Sequence, residues 1–196
     1  MMTDQGSAGE ALVTARLSLR RPALADIDSI FSINSDVRAC AYNPSDALVT
    51  RDEACQLFRQ WDEHWRRFGF GYWVVRRRGC EQPIGFCGIK VIRFNDRDVV
   101  NLFYRFDPAA WGNGLATEAA SAVTSWAAEN IPDRALIARI RPQNVASQRV
   151  ALHAGLERAQ RLDAPGEDGL DWIFVPIRRL HVCPTTLVWP CRPVGT

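Results

Sequence analysis

The 196-residue chain predicts an α/β domain organised on one mixed sheet. Three observations carry that expectation. Residues 71–78, 83–94 and 98–106 are β-rich runs separated by turn-forming stretches at 79–82 and 95–97, which reads as an antiparallel meander. Helical and strand patterns then alternate through the second half, the order that builds layered α/β folds. Between the halves, residues 103–120 read as a strand, a turn with two glycines one residue apart, and an immediate helix.

At the N-terminal end, residues 13–20 set Val13, Leu17 and Leu19 against polar neighbours and read as a first strand. Pro22 and Ala23 then lead into a helix carrying Leu24, Ile27, Ile30 and Phe31. Thr50-Arg51-Asp52-Glu53 has the form of a capping box. Ala54, Leu57, Phe58, Trp61, Trp65 and Phe68 follow at helical spacing, so this aromatic stripe reads as core packing and not as a ligand box. Beyond the glycine turn the pattern gives a helix over 115–129, a strand over 135–140 and a helix over 145–154. A last strand pair, 157–162 and 171–177, flanks a turn-rich segment at 163–169. The domain is expected over residues 13–179, with a flexible start over 1–12. The segment 180–196 has prolines and no periodicity, and reads as a loose extension.

Composition narrows the function classes. Apolar residues at 47% and charged residues at 23% are a globular balance, and a formal net charge of +2 argues against nucleic acid or an anionic membrane as partner. No apolar run approaches the roughly twenty residues that span a bilayer, and the first residues lack the charged start and apolar core of a signal peptide. A cytoplasmic protein is expected. Cys40, Cys55, Cys80, Cys87, Cys183 and Cys191 form no CxxC pair and have no histidine at ligand spacing, which argues against a metal site and for packing thiols.

The glycine turn says most about function. Gly112 and Gly114 can take conformations closed to other residues. A strand feeding such a turn into a helix leaves backbone N–H groups unpaired at the positive end of the helix dipole, where phosphate binds. A triphosphate loop requires GxxxxGK[ST], but Leu115-Ala116-Thr117 follows Gly114. A dinucleotide fingerprint would put Thr117 at its third glycine, and the strand over 135–140 ends without the acid that holds a ribose.

A third class binds the pyrophosphate of coenzyme A. Here Trp111-Gly112-Asn113-Gly114-Leu115-Ala116-Thr117-Glu118-Ala119 resembles the WGxGxATEA turn of GNAT-superfamily N-acetyltransferases, and more narrowly the RimJ/RimL branch. Gly114 and Ala116 match the general form [QR]xxGx[GA]; Trp111 replaces its first residue, as is usual in that branch. A second stretch, residues 144–156, is similar to the family's NxxSxxVxxKxGF, with His153 for lysine and Leu156 for phenylalanine. Read physically, Asn144 is a helix N-cap and Gly155 closes the helix. Capping alone accounts for Asn144 and Ser147 as well as a functional role does.

The resemblance covers residues 13–178. It implies the GNAT fold, with antiparallel N-terminal strands and a parallel pair at the cofactor cleft. It also implies metal-free transfer of an acetyl group from acetyl-coenzyme A to a primary amine, on a peptide N-terminus or a small molecule, by direct attack through a tetrahedral intermediate. Carried over residue by residue, the cofactor would meet the main chain at Tyr104 and Phe106, the turn formed by Trp111, Gly112, Asn113, Gly114, Leu115, Ala116 and Thr117, and then Asn144 and Ser147. The main chain around Tyr104 would stabilise the oxyanion, and Ser147 would assist the leaving thiolate. Ala151 stands where many other branches carry a tyrosine. A homodimer is compatible with this reading.

One departure touches the chemistry. The branch usually reads aEiGYwi where this chain has Val100-Asn101-Leu102-Phe103-Tyr104-Arg105-Phe106, so Asn101 takes the catalytic position of a glutamate, and an amide cannot accept the proton. Three readings stay open: a water relay to another carboxylate, an acceptor less basic than lysine, or a catalytically silent acyl-coenzyme A binder. An α-amine, with a pKa of about 8, would ease the requirement. Glu118 reads as a solvated or capping residue of the first turn. The acceptor is expected against residues 35–49, where Arg38, Tyr42, Asn43 and Asp46 each read as turn residues.

Overall fold

The structure, a computed structural model, describes residues 11–177; the expected 180–196 extension, with Cys183 and Cys191, lies outside the described residues. The strands are β1 (Ala11–Val13), β2 (Leu17–Arg20), β3 (Tyr72–Arg77), β4 (Pro83–Phe94), β5 (Arg97–Phe106), β6 (Leu136–Ile140), β7 (Leu156–Arg158), β8 (Ala164–Gly166) and β9 (Gly169–Pro176). They form one sheet in the order β1-β2-β3-β4-β5-β6-β9-β7, with β8 paired to β9 off that path. Its helices are α1 (Ile27–Asn34), α2 (Arg51–Phe68), α3 (Leu115–Asn130) and α4 (Val145–His153). The sheet is mixed as the sequence predicts: β5 and β6 run parallel, and the other recorded pairings are antiparallel.

Strand alternation divides the core between the two faces. On one face α1 and α2 press Ile30, Ala54, Phe58 and Trp61 onto Val74 and Phe86. The other carries Leu19, Cys87, Val100 and Leu102 against Leu115, Ala119, Val123 and Ala151 of α3 and α4. Fully burying a side chain such as Ile30 or Leu19 contributes about 1.5–3 kcal/mol. The α2 ends follow their sequence signals. Thr50 Oγ1 accepts from the Glu53 N–H, the Glu53 carboxylate accepts from the Thr50 N–H, and Gly69 closes the helix at φ 74° with its N–H on the Trp65 carbonyl.

The structure departs from the sequence reading in four places. Residues 13–20 are not one strand: β1 and β2 form a hairpin, because Thr14 closes a turn by bonding the Leu17 main chain in both directions. Leu24 sits in a short 3-10 turn ahead of α1 and is exposed, while Asp26 is buried there on Arg20. The strand expected over 157–162 ends at Arg158 and passes into a 3-10 turn at Gln160–Leu162. The turn-rich segment at 163–169 contains β8, which makes a tight hairpin with β9.

Candidate active site

The site begins where the parallel strands separate. β4 pairs with β5 along its whole length, from Gly85 opposite Phe106 to Phe94 opposite Arg97. β6 pairs with β5 only across Val100–Leu102, so among the described residues the edge of residues 103–106 that would face β6 has no strand beside it. The Val100 N–H points to β6, on the Ala135 carbonyl at 2.9 Å. By the two-residue repeat of a strand, the N–H groups of Tyr104 and Phe106 point into the open gap.

The glycine turn lies at the end of that gap. Gly112 and Gly114 have φ values of 76° and 69°, so both are in the left-handed region. An added Cβ would meet nothing at Gly112 and make only ordinary contact at Gly114; backbone conformation, not crowding, is what calls for glycine here. Among the described residues, no protein acceptor takes the N–H groups of Gly112, Asn113, Gly114, Leu115, Ala116 or Thr117. That run of free donors at the N-terminus of α3 fits the diphosphate of coenzyme A. Asn113 folds its amide back onto the carbonyls of Ala110 and Trp111, so its side chain shapes the turn.

Two further groups frame the turn. The Trp111 indole N–H donates to the Phe106 carbonyl at 3.0 Å. Arg16, on the β1–β2 turn, donates through Nη1 to the Asn113 carbonyl at 3.0 Å and through Nε to Glu118 at 2.6 Å. Sequence reasoning missed Arg16, which lies 97 residues from Asn113 and carries no local motif. Glu118 is neither solvated nor a cap. It accepts from the Thr14 hydroxyl at 2.5 Å and from the Arg16 main-chain N–H at 2.8 Å. Desolvation opposes its charge, but the donors on Thr14 and Arg16 outweigh it and hold the carboxyl below its usual range.

Across the gap, α4 brings Ser147 to Tyr104. Asn144 Oδ1 caps α4 by accepting from the Ser147 N–H at 3.0 Å. The Tyr104 hydroxyl donates to the Ser147 carbonyl at 2.8 Å. Burial pushes the Tyr104 phenol well above its ordinary pKa, opposed in part by the Ser147 side chain, and the bond from its hydroxyl to the Ser147 carbonyl positions α4.

Asn101 is not brought to Tyr104 and Ser147. Phe103 of β5 packs against the α1–α2 cluster, so by strand alternation Asn101 lies on that face, with Phe103 and Arg105, opposite Tyr104. Its Oδ1 is sealed from water without a hydrogen-bond partner among the described residues. Near it the 35–49 segment is strapped down. Buried Arg105 donates to Asn34 at 2.7 Å and to Asp46 at 2.9 Å, while Arg141 donates to the Tyr42 carbonyl and pairs with Asp171 at 2.9 Å. Asp46 is thus an anchor of the segment, and Arg38 is taken by Asp36.

Residues 16–157 match the family described as acetyltransferase (GNAT) domain. The chain belongs to the GNAT acetyltransferase family. It is by that membership an acetyl-coenzyme A-dependent N-acetyltransferase. Among relatives of this GNAT protein, YkkB of Bacillus subtilis is 27% identical over 160 residues, covering 80% of this chain and 90% of YkkB. An acetyltransferase structure from Agrobacterium tumefaciens superposes with a TM-score of 0.73 at 25% identity, over 86% of this chain and 94% of that one. The RimL ribosomal-protein α-N-acetyltransferase in complex with coenzyme A superposes at 0.66 with 15% identity, over 85% and 96%. The expectations of a GNAT fold and of GNAT membership are borne out together.

Proposed function

We propose that this protein transfers the acetyl group of acetyl-coenzyme A to a primary amine, on a protein N-terminus or a small molecule, by direct attack through a tetrahedral intermediate. The observation that carries the reading is the continuity of the open β5 edge with the free donors of residues 112–117. Acetyl-coenzyme A supplies the activated acetyl thioester. The turn holds its diphosphate, and the N–H groups of Tyr104 and Phe106 bond the pantetheine arm as an added strand would. The Tyr104 N–H also supplies a fixed donor to the developing oxyanion. Ser147, held at Tyr104 by α4, offers its hydroxyl to the departing sulfur, and Asn101 faces the acceptor from the other side of β5.

The test is incubation with acetyl-coenzyme A and a panel of primary amines, followed by free thiol. Thiol release that requires an amine is expected. Cofactor binding by calorimetry without release from any amine would refute transfer and leave the silent-binder reading.

A further inference from the structure

The glycine turn lacks a cation of its own. From Asp107 to Asn130 the chain holds no lysine, arginine or histidine, and the ionisable side chain in the first turn of α3 is an acid, Glu118. The free N–H groups there carry only the partial charge of a helix terminus, roughly half an elementary charge, whereas a diphosphate is a full anion.

The cation comes from a distant part of the chain. Arg16, on the β1–β2 turn, sets its guanidinium against the glycine turn: Nη2 lies 3.7 Å from the point where a Cβ on Gly114 would stand. Nε is committed to the Glu118 carboxylate at 2.6 Å and Nη1 to the Asn113 carbonyl at 3.0 Å, while Nη2 has no partner among the described residues. The side chain is 52% exposed, so a ligand can reach it. Glu118 is engaged by the Thr14 hydroxyl, the Arg16 main-chain N–H and Arg16 Nε together, so its charge holds Arg16 in place. Arg78 adds to the same flank. Its N–H donates to the Arg16 carbonyl at 2.9 Å, its exposed guanidinium reaches the Ala15 carbonyl at 3.4 Å, and it makes no ion pair among the described residues.

We infer that Arg16 is a phosphate-binding residue of the cofactor site, with Nη2 donating to a phosphate oxygen of coenzyme A while Glu118 and Asn113 hold the guanidinium in position. This rests on the reading of the turn given above. The bond is charge-assisted, and a planar donor already fixed on two sides loses little freedom when the anion arrives. Arg16 thus supplies the full positive charge that α3 does not carry. Coenzyme A offers the same phosphate chemistry twice, as its diphosphate and as its 3′-phosphate, and a ligand pair tells the two apart.

The experiment measures by calorimetry the binding of coenzyme A and of 3′-dephospho-coenzyme A to wild type, Arg16→Gln and Arg16→Lys over a series of salt concentrations. Arg16→Gln keeps a hydrogen-bond donor without the charge and should weaken coenzyme A binding about ten- to a hundredfold. Arg16→Lys keeps the charge without the planar fork and should lose less. The same loss with 3′-dephospho-coenzyme A would assign Arg16 to the diphosphate, and a loss confined to coenzyme A would assign it to the 3′-phosphate. Affinity should fall more steeply with salt in wild type and Arg16→Lys than in Arg16→Gln, because a phosphate contact has been removed from the last. A loss of affinity with an unchanged salt slope would mean that Arg16 only braces the turn. Undiminished binding in Arg16→Gln would mean that the guanidinium stays out of the site. Either result overturns the inference and leaves acetyl transfer standing. Should Arg16→Gln not fold, a salt slope in Arg16→Lys shallower than in wild type would overturn it equally. Absence of coenzyme A binding by wild type would remove the reading of the turn and this inference with it.

Discussion

The Trp111 indole N–H and the Phe106 carbonyl, 3.0 Å apart, join the last residue of the open strand to the head of the glycine turn. Phe106 has its main chain directed into the gap, and the indole occupies its acceptor while leaving its N–H free for a ligand. The bond therefore fixes the distance between the stretch that would pair with pantetheine and the stretch that would hold the diphosphate.

Trp111→Phe keeps an aromatic ring and removes the donor. Thermal unfolding should show a loss of about 1 kcal/mol, the net worth of one neutral hydrogen bond. Calorimetry should show weaker coenzyme A binding, because the turn is no longer tied to β5. Binding as tight as in wild type would mean that the two halves of the site are aligned by other contacts.

Gly114→Asp tests the turn itself. At φ 69° any side chain is strained, and a carboxylate placed among free N–H groups competes with the diphosphate for them. Most of the coenzyme A affinity should disappear. Gly114→Ala carries the strain without the charge and should bind better than the aspartate variant; equal losses would assign the effect to backbone conformation alone.

Glu118 couples the turn to pH. Its folded-state pKa lies below the ordinary value of 4.5, so the stability it contributes is complete above that value and is lost as pH falls through the lower folded-state value. Glu118→Gln should flatten the acid limb of a stability-versus-pH curve and weaken coenzyme A binding at neutral pH, since Arg16 loses its partner. An acid limb unchanged in the variant would show that other carboxylates govern it.

What was legible in the sequence was local. The capping box at Thr50 and Glu53, the N-cap at Asn144 and the strand–turn–helix over residues 103–120 depend on neighbours within a few positions, and each appears in the structure as read. The hairpin at Thr14 was not legible, because unbroken alternation from Val13 to Leu19 hides a turn closed by the main-chain N–H and hydroxyl of one residue. Arg16, Glu118 and the Arg105–Asp46 anchor were missed for a different reason: their partners lie 59 to 104 residues away, and only the completed sheet brings them together. The separation of Asn101 from Tyr104 follows from strand parity, but which face receives the acceptor depends on where α1 and α2 pack.

The Ser147–Tyr104 contact supplies the last expectation. Ser147→Ala removes a hydroxyl that lies beside the Tyr104 phenol and leaves the main-chain carbonyl that Tyr104 bonds. Stability should therefore change little, whereas turnover should fall about ten- to a hundredfold if that hydroxyl assists the leaving thiolate, with the KM for acetyl-coenzyme A nearly constant. Tyr104→Phe has the opposite profile, because it strips the donor from the Ser147 carbonyl and should lower stability by about 1 kcal/mol through the placement of α4. Its effect on turnover should come through Ser147, so adding it to Ser147→Ala should cost less than it does alone. Full activity in Ser147→Ala would show that the sulfur departs without help from α4 and that Asn144 and Ser147 serve only as the cap.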